Sequence, residues 1–354
     1  MFKLSKKVTM QQIADHIGIS KFAVSKALSG KPGVSPETRE KIINAATQFG
    51  YLAQKRSKPA SRRAEQNKAQ TGQPNTIIVL LPNVRYQNRQ SVYWGRIVDG
   101  ITNALKQHEL GMMIVTEQIA DNFAQLINPK AVLGLVGVGL ISNQQLLEVR
   151  NLGLPFVLVD HEDLLIPSDV LFMNNYECMR RVANYLLGRG HRKLQFVGNI
   201  RFSRSFQDRW LGFRSMLEEN GVPLVQDPRL LEFEGDDRSE MAAALEPVLK
   251  DLAARKELPT SFVCANDSIA ICVMGLLMNM NIDIPAACSV TGFDNIDDAA
   301  LFNPSLSTVH VNKEALGQRA VETLLRRIGH PDGPKEKILL AGDFLIREST
   351  AAAP

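Results

Sequence analysis

In four places a short apolar run leads directly into polar side chains. Phe156-Val157-Leu158-Val159 is followed by Asp160 and His161, and Phe196-Val197-Gly198 leads on to Ser203-Arg204-Ser205 and Arg209. Phe262-Val263-Cys264-Ala265 is followed by Asn266-Asp267, and Ser289-Val290-Thr291-Gly292-Phe293 by Asp294-Asn295. Two acids, an amide and an arginine in one cleft would suit a polyol, a sugar or a nucleobase, whose groups both donate and accept hydrogen bonds. Asp and Asn also favour helix N-caps, so Asn266 or Asp294 taken singly reads equally well as a cap. Covalent chemistry finds no footing. There is no Ser or Cys nucleophile elbow, no Walker loop and no Gly-x-Gly-x-x-Gly. Cys178, Cys264, Cys272 and Cys288 lack metal-type spacing and lie in apolar surroundings, as buried reduced thiols of a cytoplasmic protein do. The histidines are scattered. These residues predict neither an enzyme nor a bound metal or cofactor.

Polar residues at strand ends converge only when the strands are parallel, because ligands of such sheets sit beyond the carboxyl ends. From Thr76 onward the chain alternates β-branched runs with amphipathic stretches. Ile77–Leu81, Met112–Val115, Val132–Val138 and Phe156–Val159 read as strands, with Gly95–Lys106 and Gln144–Val149 helical. A second series reads as helix over Met179–Leu187, strand over Leu194–Val197, helix over Gln207–Glu218 and strand over Leu231–Phe233. Then come a helix over Met241–Leu252, a strand over Phe262–Cys264, a helix over Ser268–Met280 and a strand over Cys288–Thr291. Such alternation predicts two doubly wound parallel-sheet subdomains of an α/β body.

The first fifty residues follow a different pattern. Thr9 and Gln12 form a Thr-x-x-Gln capping box, which starts a helix at Met10. Ile13, Ala14 and Ile17 line one face, and Gly18 ends the helix in a left-handed conformation. Ser20 caps a second helix, with Val24, Ala27 and Leu28 inside and a small, polar, lysine-bearing face outside. Ser35-Pro36 opens a third helix, with Ile42, Ile43, Ala46 and Phe49 on one face and Gly50 at its end. Three short helices of this kind make a small all-α helix-turn-helix head.

Charge is placed unevenly. Residues 1–70 hold 14 Lys or Arg against 4 Asp or Glu, a balance of +10, so the rest of the chain carries −6 of the overall +4. A basic module on a mildly acidic body is the asymmetry of a nucleic-acid binder. Gln54 to Asn75 is rich in Lys, Arg, Gln, Ser, Ala and Pro without apolar periodicity, a solvated basic linker. No secretory signal is visible after Met1. The longest apolar run, Ala131 to Ile141, is about half of a membrane span, so no membrane partner is expected.

At this point the motifs converge. Val8-Thr9-Met10-Gln11-Gln12-Ile13-Ala14, Gly18-Ile19-Ser20, Val24-Ser25, Val34-Ser35-Pro36-Glu37-Thr38-Arg39 and Gly50-Tyr51 follow one another in the head. Gly190-His191-Arg192-Lys193-Leu194, Arg209-Trp210-Leu211-Gly212-Phe213, Ala265-Asn266-Asp267, Val290-Thr291-Gly292-Phe293-Asp294 and Pro304-Ser305-Leu306-Ser307-Thr308-Val309 follow in the body. In order and spacing the chain resembles the lac-repressor-like (LacI/GalR) bacterial transcription regulators over nearly its whole length. The resemblance implies a head over 1–53, a linker over 54–75 and a body like that of periplasmic sugar-binding proteins. One subdomain would span 76–173, completed by about 311–334. The other would span 174–310, completed by about 335–350. It also implies a ligand-responsive regulator, a repressor of a carbohydrate or related metabolic operon. Its partners would be double-stranded operator DNA and a small-molecule effector: a sugar, sugar acid, sugar phosphate or purine. The protein would act as a homodimer or tetramer.

By the same resemblance Arg209, Asn266 and Asp294 match effector-binding positions, and Asp160 matches a further pocket acid. Tyr93 and Trp94 fall on an aromatic pair at the start of the first body helix, where Trp94 either stacks on the ligand or packs in the core. Ser205 and His161 are further pocket candidates. In the head, Lys21 and Phe22 open the base-reading helix. Lys21 can contact guanine or phosphate, and Phe22 can make only apolar contact, for example with a thymine methyl. Ser25 and Lys26 lie one turn on. Thr9 and Ser20 would touch phosphate as well as cap, and Lys31, Lys6 and Lys7 are phosphate contacts or solvated surface.

One segment departs from the family. After the tyrosine the family has Pro-Asn and then Ala-Arg-x-Leu, a hinge helix whose leucine wedges into the minor groove. Here Tyr51 is followed by Leu52-Ala53-Gln54-Lys55-Arg56-Ser57-Lys58-Pro59-Ala60, which puts alanine at the wedge position and proline before it. Proline breaks a short helix and alanine has little area to intercalate. The alternative function, a solute-binding or sensor protein of the same two-lobed fold without operator binding, would need an export signal and no basic head.

Overall fold

The computed structural model describes residues 10–28, 35, 38, 41, 42, 45, 75–81, 92–116, 127–235 and 237–354. The chain divides into two compact units, Met1–Gln73 and Pro74–Pro354.

In the first unit α1 spans Met10–Ile17 and α2 spans Lys21–Leu28. Gly18 joins them with φ +68°, the left-handed conformation that ends a helix cheaply only at glycine. The Ile19 amide closes the turn on the Ala14 carbonyl. Ser20 caps α2 by accepting from the Ala23 amide at 3.2 Å. Ser35 likewise accepts from the Thr38 amide at 3.2 Å, at the start of further helical residues that include Ile42 and Ala45. Ile13, Ala14, Val24, Ala27, Ile42 and Ala45 bury one small core. Thr9, Ile43, Ala46, Phe49 and the linker up to residue 74 lie outside the described residues, as do the side chains of Gln12 and Leu28.

The second unit opens with β1 (Thr76–Leu81), α3 (Val92–Gln107), β2 (Gly111–Thr116) and β3 (Val132–Val138). It continues with α4 (Asn143–Asn151), β4 (Phe156–Val159) and β5 (Asp169–Met173). The next segment holds α5 (Asn175–Gly188), β6 (Leu194–Val197), α6 (Arg204–Glu219), α7 (Arg238–Ala254) and β7 (Ser261–Cys264). Then come α8 (Asp267–Asn279), β8 (Ser289–Asp294), α9 (Asp297–Leu301), β9 (Ser307–His310) and α10 (Lys313–Gly329). Two short strands follow, β10 (Lys337–Leu340) and β11 (Asp343–Leu345). The strands form a six-stranded sheet, β10-β5-β4-β3-β1-β2, and a five-stranded sheet, β11-β9-β8-β7-β6. All neighbours are parallel except β11, which runs antiparallel to β9. Buried on both faces, the central strands are continuous hydrophobic runs, as parallel sheets require.

Two expectations need correction. Leu231–Phe233 is not a strand: Asp227 caps a one-turn helix over Pro228–Leu230, and the Leu230 and Leu231 carbonyls accept from the Gly198 and Ile200 amides beyond β6. The stretch 335–350 does not belong wholly to the second lobe. Lys337–Leu340 pairs with β5 in the first sheet, and only Asp343–Leu345 returns to the second. A buried ion pair explains the placement. The Arg327 guanidinium, at the end of α10, bonds both Asp169 oxygens at 2.7 and 2.9 Å and the carbonyls of Gly333 and Pro334. Asp169 also accepts from the Glu336 amide, so the loop before β10 is fastened to the start of β5.

Candidate functional site

Three of the four polar strand ends meet on one side of the body. Asp160 follows β4 with φ +56°, and Asp294 ends β8 with φ +106°. Non-glycine residues rarely hold such angles, and strained residues persist where the surroundings over-determine them, commonly at binding sites. Gly292, two residues earlier, must be glycine, since a Cβ there would lie 2.2 Å from Asp267 Oδ1.

Arg209, on the second turn of α6, is the hub. It is 3 % exposed. Its Nε donates to Asn175 Oδ1 at 2.8 Å, Nη1 to the Ala265 carbonyl at 2.6 Å and Nη2 to Asp294 Oδ1 at 3.4 Å. Its guanidinium carbon lies 3.7 Å from the centroid of the Phe293 ring, a close cation–π contact. Asn175 extends the network by donating to Ser205 Oγ at 3.0 Å, and the Ser205 hydroxyl donates to Asp160. That last bond joins the second lobe to the first.

Burial pushes the Asp160 carboxyl up to about 6, against the Ser205 hydroxyl and the Arg209 charge, which favour the ionised form. Asp294 is raised for the same first reason, opposed by Arg209 and Lys313. Tyr93, near the start of α3, is buried, and its phenol is held well above the ordinary range by burial and by the charges of Asp160 and Asp294. Trp94 packs edge-on against it, ring centroids 4.9 Å apart, and is half-buried. Tyr93, Asp160, Ser205, Arg209 and Asp294 are thus brought together, with Trp94 beside them.

The other two candidates stand differently. The Asn266 side chain accepts from the Ile269 amide at 2.9 Å and caps α8, while the neighbouring Ala265 carbonyl serves Arg209. His161 is half-buried, its Nε2 enclosed without a hydrogen-bond partner, and burial lowers its pKa against the charges of Asp163 and Glu162.

Several members of the cluster were not read from the sequence. Asn175 stands at the N-terminus of α5, with one residue between it and the end of β5. Phe293 lies inside the Val290–Asp294 motif, where its strand position alone gives no sign of the contact with Arg209. Lys313 is 2 % exposed, and its ammonium donates to the carbonyls of Asp294, Asn295 and Val311 and lies 5.7 Å from the Tyr93 ring. Asn312, which caps α10 by accepting from the Ala315 amide, was the available signal. Beneath the acids, Asp267 accepts from the Thr308 hydroxyl and the Ile296 amide. Burial, with the charge of Asp294 adding to it, lifts Asp267 to about 7.

Burial raises the thiols of Cys178, Cys264, Cys272 and Cys288. The arrangement offers acceptors, donors and an aromatic face, which are the means of reversible binding.

In the head, α2 turns Val24 and Ala27 inward and leaves Lys21, Phe22 and Ser25 exposed, with Lys26 half-buried. The Lys26 ammonium lies 4.9 Å from the centroid of the Phe22 ring. Thr9, Lys6, Lys7 and Lys31 lie outside the described residues.

Residues 9–54 match the family model of bacterial regulatory proteins of the lacI family, and residues 183–350 that of the periplasmic binding protein-like domain. The chain thus joins a lacI-type DNA-binding region to a periplasmic-binding-protein-like domain. It is 26 % identical to the HTH-type transcriptional regulator MalR of Streptomyces coelicolor, over 98 % of this chain and 97 % of that one. It is 25 % identical to the ribose operon repressor of Haemophilus influenzae, over 96 % of this chain and 98 % of that one. Among solved structures, a complex of the transcriptional regulator CelR with cellobiose superposes with a TM-score of 0.69 at 18 % identity, covering 97 % of this chain and 99 % of that one. The lac repressor dimer bound to operator and an anti-inducer gives 0.67 at 21 % identity, covering 98 % of this chain and all of that one. Head, body and these likenesses together make the chain a DNA-binding regulator with the two-lobed α/β body, and not an enzyme. Among the described residues no helix is long and apolar enough to cross a membrane.

Proposed function

We propose that this regulator is a repressor whose operator affinity is set by a carbohydrate effector held between the two lobes. The observation that carries the reading is the buried cluster of Asp160, Ser205, Arg209 and Asp294, contributed by both lobes, with Tyr93 and Trp94 beside it. Carboxylate acceptors, a guanidinium donor and an aromatic face suit a ring dense in hydroxyls, which both donates and accepts. Named relatives support the class: one structural neighbour holds cellobiose and another, from Enterococcus faecium, holds ribose. Asn266 and His161 complete the list of effector contacts.

Lys21, Phe22, Ser25 and Lys26 read the operator, with Ser20, Thr9 and Lys31 on its phosphates. Two heads tethered by a body dimer would engage the half-sites of a near-palindrome.

The test has two arms. A gel shift of the full chain on its own upstream DNA, with salt titrated, should show binding that weakens steeply as salt rises. A thermal-shift screen over sugars, sugar acids, sugar phosphates and purines should then select a sugar that changes the gel shift. Binding without salt dependence contradicts the first arm, and stabilisation only by anionic sugars or purines contradicts the second.

A further inference from the structure

Beside the buried acids and Arg209, the second lobe carries two aromatic rings that the polar cluster does not use. Phe206, on the first turn of α6, is half-buried, and its ring centroid lies 5.5 Å from the Arg209 guanidinium carbon. Phe202 stands two residues before the helix, its ring centroid 5.2 Å from that of Phe206 and the planes tilted by 48°. Between them Ser203 caps α6 by accepting from the Phe206 amide at 3.2 Å, which fixes how the chain enters the helix. Phe202 is 56 % exposed, whereas Arg209 is buried. The rings therefore lead in two steps from the guanidinium out to solvent.

This end of α6 is the one that meets the first lobe. Ser205 donates to Asp160, and Arg204 pairs with Glu162, both from the loop that follows β4. The aromatic pair thus continues the polar cluster toward the rim where the lobes meet. An apolar residue before a helix commonly packs on one in its first turns and sets the entry angle. Any apolar side chain fulfils that role, and it does not require a ring left more than half bare.

A sugar ring has C–H groups between its hydroxyls, and these make part of its face apolar. An aromatic face, negative at its centre, attracts such C–H groups and gains by covering them. The carboxylates and the guanidinium satisfy the hydroxyls of one ring. A ring linked to it on the outer side meets Phe206 and then Phe202.

We propose that Phe202 and Phe206 form an outer subsite that stacks a second sugar residue, so that the effector is a neutral disaccharide or longer oligosaccharide. The inference rests on the reading of the cleft as a carbohydrate site and adds the length of the ligand to it.

A thermal-shift screen of the full-length chain over glucose, galactose, fructose, maltose, cellobiose, lactose, sucrose and trehalose picks the strongest disaccharide. Calorimetry then compares that disaccharide with each of its own monosaccharides, for the wild type, Phe202→Ala, Phe202→Leu and Phe202→Trp. The wild type should bind the disaccharide about tenfold or more above either monosaccharide, the gain expected of one stacked and covered ring. Phe202→Ala and Phe202→Leu should lower that ratio by about fivefold. Phe202→Trp, which offers a larger face, should keep or raise it. Leucine retains the packing on Phe206, so a loss shared by alanine and leucine separates stacking from helix entry. Sedimentation velocity should show the same assembly for the wild type and Phe202→Ala.

A disaccharide bound no more tightly than its monosaccharides overturns the proposal, as does a ratio unchanged in Phe202→Ala. A ratio preserved in Phe202→Leu shows packing alone and refutes the stacking role. A smaller assembly in Phe202→Ala shows that a second copy of the chain covers the ring, and it overturns the proposal as well. If no sugar of either length binds, the carbohydrate reading itself fails and this inference with it. Sugar binding without length dependence leaves that reading standing and removes only the inference.

Discussion

Replacing Asp160 by asparagine should make the protein more stable at neutral pH and less responsive to its effector. Asp160 ionises at about 6 in the folded chain, against an ordinary 3.8, chiefly because burial penalises the carboxylate. The folded state therefore holds this proton more tightly than the unfolded state does. Between those two values the folded chain binds more protons, so stability falls as pH rises through the window and levels off above about 6. At 1.36 kcal/mol per unit, a shift of this size corresponds to about 3 kcal/mol at most. The substituted asparagine cannot ionise, yet its amide oxygen can still accept the Ser205 hydroxyl. The raised carboxyls of Asp267 and Asp294 are present in both proteins and largely cancel in the difference. Urea unfolding at several pH values reports it, since both tryptophans, Trp94 and Trp210, lie in the body. The variant should match the wild type near pH 4 and exceed it by up to about 3 kcal/mol at pH 7. Its effector affinity should fall, because an amide replaces a carboxylate acceptor. A variant equal to or less stable than the wild type at pH 7, or a difference that does not shrink toward pH 4, would refute the argument.

Three further outcomes are expected. Lys21→Ala and Lys26→Ala should each weaken operator binding, by roughly 1–3 kcal/mol where a base contact is lost. Where a phosphate contact is lost, the salt slope should fall by about one unit. Binding isotherms at two salt concentrations check this, and wild-type behaviour of both variants would reject the reading helix. Arg209→Ala or Asp294→Ala should cost the effector roughly 1.5–3 kcal/mol of affinity by calorimetry while operator binding without effector persists, because a buried charge-assisted bond is lost. Unchanged affinity in both would remove this pocket from the assignment. Because Pro59 and Ala60 stand where the family has a hinge helix and its leucine, one or two base pairs inserted at the operator centre should be tolerated, and bound DNA should bend little. A sharp central kink in solution, or loss of binding on insertion, would contradict this.

The parts of the fold legible in the sequence are those whose signal is local. β3 and β4 are runs of apolar residues between polar punctuation and fall at the residues expected, as does β6. The turn between α1 and α2 was readable because only glycine takes φ +68° without strain. What escaped depends on partners far along the chain. β5 begins with a buried carboxylate, Asp169, which looks out of place in a strand until Arg327, 158 residues later, neutralises it. The same pair draws β10 into the first sheet, which no window around Lys337–Leu340 can show. Lys313 reads as solvated surface, since lysine is seldom buried, and is inside only because three backbone carbonyls surround its ammonium. The candidate site divided along the same line. Asp160, Arg209 and Asp294 were visible as polar residues after apolar runs, whereas Asn175, which joins Ser205 to Arg209, needed β5 to be recognised first.

These long-range ties also limit how the cleft can work. The first lobe reaches the second through Asp160 and Ser205, through Lys313 and the Asp294 carbonyl, and at the rim through Glu162 with Arg204 and Arg96 with Asp297. The Arg96–Asp297 pair is largely exposed and contributes little by itself, about 0–1 kcal/mol for a surface pair, whereas the Glu162 side chain of the other is mostly covered. Of the inner ties, one is made by the Asp160 carboxylate and the other by the backbone carbonyl of Asp294. A hydroxyl bonding Asp160 competes with Ser205 for its oxygens, and one bonding Asp294 competes with Arg209. The first bond spans the lobes and the second lies within one of them, so ligand entry at Asp160 cannot be neutral to the lobe junction: it either replaces that tie or adds a second partner to it. Only differential affinity of this kind can shift a conformational equilibrium. It follows that Asp160 both recognises the ligand and couples the lobes. Substitutions at Asp160 should accordingly change effector affinity and the size of the DNA response together, whereas substitutions at Trp94, which makes no polar tie between the lobes, should change affinity alone.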